Sequence, residues 1–132
     1  MEYPDFRDIE PYSDSEVPAA IKRILADPQL PMLIKAINPK LDVGKTMDLI
    51  SVVETIDEFK TKVMLPMLMH VLKASARHFT CDGLERLDPD KRYLFVSNHR
   101  DILLDAGLLN FIFARHKMPA TEIAIGDNLI KG

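Results

Sequence analysis

Residues 93–105, Tyr93-Leu94-Phe95-Val96-Ser97-Asn98-His99-Arg100-Asp101-Ile102-Leu103-Leu104-Asp105, decide how the fold is read. The first four are β-formers in an unbroken apolar run, which predicts a strand buried on both faces. A polar loop follows, and helical spacing returns over 102–114. Residues 121–125 read as another buried strand, closed by Gly126-Asp127-Asn128. Strand, helix and strand in that order predict a βαβ unit with parallel strands and a right-handed crossover. Just upstream, 79–87 contains Asp82-Gly83 and reads as a short strand and turn. Asp88-Pro89-Asp90-Lys91 is a second turn.

Further toward the N-terminus the texture is helical. Residues 1–12 hold two prolines and no period, so they read as an extended arm. Ser13 or Ser15 can cap a first helix, with Glu16 and Pro18 in its first turn and Val17, Ile21, Ile24 and Leu25 on one face. Asp27-Pro28 ends it. A shorter apolar piece, 30–37, stops at Asn38-Pro39, and another helix is expected over 45–53. Thr55 with Glu58 three positions on is a capping box. Phe59, Val63, Met67, Val71 and Leu72 then give a wide apolar face to about Ala76, with Pro66 expected to bend the helix. The expected class is therefore α/β. An arm (1–12) and a helical N-terminal region (13–76) precede a partial mixed or parallel sheet (77–132), whose βαβ unit carries a His/Asp motif.

Ligands of α/β sheets gather beyond the carboxyl ends of strands, which is where residues 97–101 fall. His99 exchanges a proton near neutral pH most readily, and Arg100 can hold an anion. A helix starting near Asp101 aims free N–H groups at the same space. Six positions on one helix span about 600°, so His99 and Asp105 meet only if His99 stands in the loop ahead. Asp105, in the first turn, then leans back toward it and can fix the tautomer that leaves the other nitrogen as a base. Asp101 fits as the N-cap. The competing structural account is a histidine that caps a helix start beside a solvated first-turn acid. His70, His78 and His116 read as structural, and Cys81 as a small core residue. The cluster Met64, Met67 and Met69 reads as core packing.

At this point the sequence resembles a known family. YLFVSNHRDILLDAGLLNFIF is similar to the first motif of the glycerol-3-phosphate and lysophosphatidic acid acyltransferases, in which a strand ends in Asn-His and an aspartate follows after four residues. GLERLDPDKRYLFVSNH resembles their lead-in, with closest likeness to bacterial members. The likeness covers 79–114 and extends through 121–129. It implies that His99 takes a proton from a glycerol hydroxyl, which attacks the thioester of acyl-CoA or acyl carrier protein directly, while an aspartate orients His99. Asn98 and Arg100 are the implied substrate contacts. No metal or cofactor is implied beyond the acyl thioester co-substrate. Two departures stand out. Five residues, not four, separate His99 from Asp105; Leu104 holds the four-residue position, and Asp101 is the alternative partner. The family's later Gly-x-x-Phe-Ile-x-Arg and Glu-Gly-(Thr/Ser)-Arg blocks are missing from these 132 residues. The expectation is thus the first part of an acyltransferase domain, inactive by itself.

Two other readings compete. One is a non-catalytic α/β binding or assembly module that retains a degenerate motif. The other is a His-Asp hydrolase with Ser97 as nucleophile, though Ser97 lacks the glycine-flanked turn such a nucleophile uses. At 47% hydrophobic and 28% charged the chain is globular in composition, and its formal charge of −3 gives no nucleic-acid footprint. A lone Cys81 suits a reducing compartment. The start is acidic, unlike a secretory signal, and the longest apolar stretch, 63–72, is about half of the ~20 residues a membrane span needs. The expected place is the cytoplasm, with peripheral contact at the inner membrane surface anticipated from the lipid substrates.

Overall fold

The structure, a computed structural model, describes residues 10–98, 100, 101 and 104–123. Helix accounts for 59% of them, and no β-strand occurs among them. The chain divides into two compact units, whose described parts run over 10–71 and 72–123.

In the first unit polar side chains set the helix starts, at the expected Ser13 and Thr55 and also at Asp42, which opens the third helix two residues ahead of the expected 45. Glu16 closes the entry to the 3-10 turn Asp14–Glu16: its carboxylate accepts from the Ser13 amide at 2.8 Å and from the Ser13 hydroxyl at 2.7 Å. The turn runs into α1 (Val17–Ala26), which stops where Asp27 turns extended. Next come α2 (Leu30–Ile37) and α3 (Val43–Ser51). Asp42 caps α3 by accepting from the Lys45 amide at 3.0 Å. Val17 and Ile21, one turn apart on α1, are buried with Ile50 and Val53, and Leu25, Ile56, Phe59 and Val63 pack around them. Burying one such aliphatic side chain contributes about 1.5–3 kcal/mol. Asp14 adds a polar tie across this core, accepting from the Ile56 amide at 2.9 Å.

Thr55 opens the next helical run, as expected, and its hydroxyl accepts from the Glu58 amide at 3.1 Å. The return arm of the box lands one residue early: the Glu58 carboxylate takes the Glu54 amide at 2.9 Å and also pairs with Lys62. The run consists of α4 (Ile56–Glu58), a π-helical stretch (Phe59–Met64) and α5 (Leu65–Ser75). At the end of the π stretch the Leu65 amide bonds to the Lys60 carbonyl, five residues back. Pro66 lacks an N–H, and its ring crowds the carbonyl four residues earlier, so a widened turn just ahead of it relieves the ladder.

The second unit corrects the sequence reading. The α/β class, the partial sheet and the βαβ unit are not found: 79–87, 93–96 and 121–123 form no strand. Residues 124 and 125 of the third expected strand lie outside the described residues. Each failure has a local cause. In 79–87, Gly83 adopts a left-handed φ of 91° and starts a 3-10 turn (Leu84–Arg86), whose hydrogen bonds close within the segment. In 121–123, the Thr121 amide that a ladder would use donates instead to the Asn110 side chain at 2.7 Å. Without either neighbour, 93–96 has no ladder partner among the described residues, and β-propensity alone does not make a strand. Burial on both faces fails too, since Leu94 is 90% and Val96 87% exposed.

What organises this unit is α6 (Leu104–Arg115). Phe111 and Phe113 are both buried, although two positions on a helix are about 200° apart. The helix is therefore covered from two sides. Phe79 meets Phe111 edge-on at 6.3 Å between ring centres, and Phe95 meets Phe113 at 5.2 Å, with Tyr93 stacked behind Phe95 at 6.0 Å. Aromatic pairs of this kind contribute about 0.5–1.5 kcal/mol each beyond their burial. The turn expected at 88–91 is present, closed by the Lys91 amide on the Asp88 carbonyl at 3.1 Å. The Tyr93 hydroxyl accepts from the Asp88 amide at 2.8 Å and fixes that turn to the aromatic stack.

Among the described residues no helix is long and apolar enough to cross a membrane.

Candidate active site

Of the residues singled out by sequence, Arg100, Asp101 and Asp105 meet at the start of α6. His99, the expected base, lies outside the described residues, as do Ile102 and Leu103. Asp101 and Asp105 are described, and their jobs differ.

Asp101 caps the start of α6 through its side chain. Its Oδ1 accepts from the Leu104 amide, three residues on, at 2.7 Å, and its carbonyl accepts from the Asp105 amide at 3.4 Å. Asp and Asn favour this position because a short side chain satisfies an amide the helix leaves unpaired.

Asp105 occupies the first turn and leans back, as helical side chains do. Its Oδ2 accepts from the Arg100 amide at 2.7 Å and from the Asp101 amide at 3.0 Å. One carboxylate oxygen thereby gathers two consecutive backbone N–H groups, and the nearer belongs to the residue that follows 99. The negative charge also suits the positive end of the helix dipole. Asn98 and Arg100, the expected substrate contacts, are exposed.

Other side chains fall where their chemistry allows. His70 shares a hydrogen bond with the Asn38 amide at 3.3 Å, a structural link between α5 and the end of α2, while His78 and His116 are exposed. Cys81 is exposed, which corrects its reading as a core residue. Of the methionine cluster, Met64 and Met67 are half-buried and Met69 is exposed.

Sequence reasoning passed over Asn110. Its amide nitrogen donates to the Ala106 carbonyl at 3.1 Å and to the Thr121 hydroxyl at 3.0 Å, while its oxygen takes the Thr121 amide. It holds the chain that leaves α6 against the helix. The signal was available: Asn110 is the one polar residue in Leu108-Leu109-Asn110-Phe111-Ile112-Phe113, and a polar group on a covered helix needs partners.

Compared with protein families, with curated proteins and with solved structures, the chain has no match.

Proposed function

We propose that this chain carries the proton-transfer end of an acyltransferase that moves a fatty acyl group from a thioester to a hydroxyl of a glycerol-phosphate-type acceptor. His99 removes the hydroxyl proton, and the oxygen attacks the carbonyl carbon of acyl-CoA or acyl carrier protein. Collapse of the tetrahedral intermediate breaks the C–S bond, and the imidazolium returns its proton to the leaving thiolate. Asp105 orients the imidazole and favours its charged form. Asn98 and Arg100 stand beside the acceptor, with the guanidinium suited to its phosphate. The reaction needs no metal or cofactor, and its lipid acceptor would bring the protein to the inner membrane surface as a peripheral visitor from the cytoplasm.

The observation that supports this reading is the backward reach of Asp105, whose carboxylate oxygen lies 2.7 Å from the amide nitrogen of Arg100. Asp101 turns forward to the Leu104 amide, whereas Asp105 reaches back to the Arg100 amide, so Asp105 takes the orienting role. The test is His99→Ala, with thiol release from acyl-CoA followed in the presence of glycerol 3-phosphate. Turnover should fall on the order of 10²–10⁴-fold while helical circular dichroism is retained. Unchanged turnover removes His99 from the mechanism.

One observation favours a second reading, a non-catalytic binding or assembly module. Both carboxylates bond backbone amides at their own helix start, which a purely structural cap would also do.

A further inference from the structure

We draw no further inference here: the strongest candidate, the exposed aliphatic ridge of Leu94 and Val96 on the segment ahead of α6, is an unpartnered apolar face, and nothing in the structure shows what covers it.

Discussion

Replacing Asp105 by asparagine separates the catalytic account of the α6 start from the structural one. The Asp105 carboxylate oxygen accepts two amides, at 2.7 and 3.0 Å. An asparagine oxygen can accept the same two, so Asp105→Asn forfeits chiefly the charge at the helix N-terminus, about 0.3–1 kcal/mol. Asp105→Ala forfeits the bonds as well, for about 1–2 kcal/mol in total, as in other losses of helix-start acceptors. A domain stable by about 5–15 kcal/mol stays folded through either change. If Asp105 orients a general base, however, the neutral amide no longer favours the imidazolium, and turnover of Asp105→Asn falls on the order of 10²–10⁴-fold. Asp101→Asn is the control: asparagine caps as well as aspartate, so it should cost no more than the same helix-start charge, about 0.3–1 kcal/mol, and leave turnover unchanged. Urea melts followed by circular dichroism give the stabilities, and thiol release from acyl-CoA gives the rates. Asp105→Asn with full turnover, or Asp101→Asn with the larger loss, refutes the division of labour argued for the two acids.

Acidification should loosen two helix starts first. The Glu16 carboxyl is held below its ordinary value mainly by the Ser13 hydroxyl and then the Ser13 amide; that of Glu58 is held down mainly by Lys62 and then the Glu54 amide. Carboxyls lowered by folding contribute stability that is present above the ordinary value, about 4.3, and is lost as pH falls through the lowered one. Helicity followed from neutral to strongly acid pH should show this loss, and the double variant Glu16→Gln/Glu58→Gln should reduce its size; an identical acid profile contradicts the assignment. Lys117, at the C-terminus of α6, holds a left-handed φ of 57°, with the Met118 amide on the Phe113 carbonyl at 2.9 Å. Glycine is the natural residue there, so Lys117→Gly should raise stability by about 0.5–1 kcal/mol in urea melts. Leu94→Lys with Val96→Lys should leave stability within about 0.5 kcal/mol, since both side chains are largely in solvent; a loss of several kcal/mol would mean that the ridge is buried in solution.

Helices and their ends were legible in the sequence; tertiary partnership was not. Ser13 with Glu16, Thr55 and Asp101 all act at helix starts, because a cap is a contact over three or four residues that sequence spacing encodes directly; Asp42, which the sequence reading passed over, obeys the same rule. The extended stretches failed for the opposite reason. A run such as Tyr93-Leu94-Phe95-Val96 states a preference, yet a strand exists only when a neighbour supplies its hydrogen bonds. Gly83 and Asn110 spend the neighbouring segments' amides locally. Asp82-Gly83 did announce a turn; that the turn would displace the strand around it required knowing what Arg86 and Leu87 bond to.

The same distinction governs the site. Asp101 as cap and Asp105 leaning back were both readable, because they follow from position within one helical turn and from the tilt of helical side chains. That geometry does not depend on a sheet. It needs only a loop feeding a helix whose first-turn acid gathers the amides of residues 100 and 101. The loss of the βαβ unit therefore removes the expected strand beneath the loop without removing the reason for Asp105 to face it. Chemistry at residue 99 would then rest on one helix start together with the aromatic pairs Phe95–Phe113 and Phe79–Phe111 that cover the rest of α6. Thinning that cover should disturb the position of the loop before it disturbs the cap, since the cap bonds lie wholly within residues 100–105.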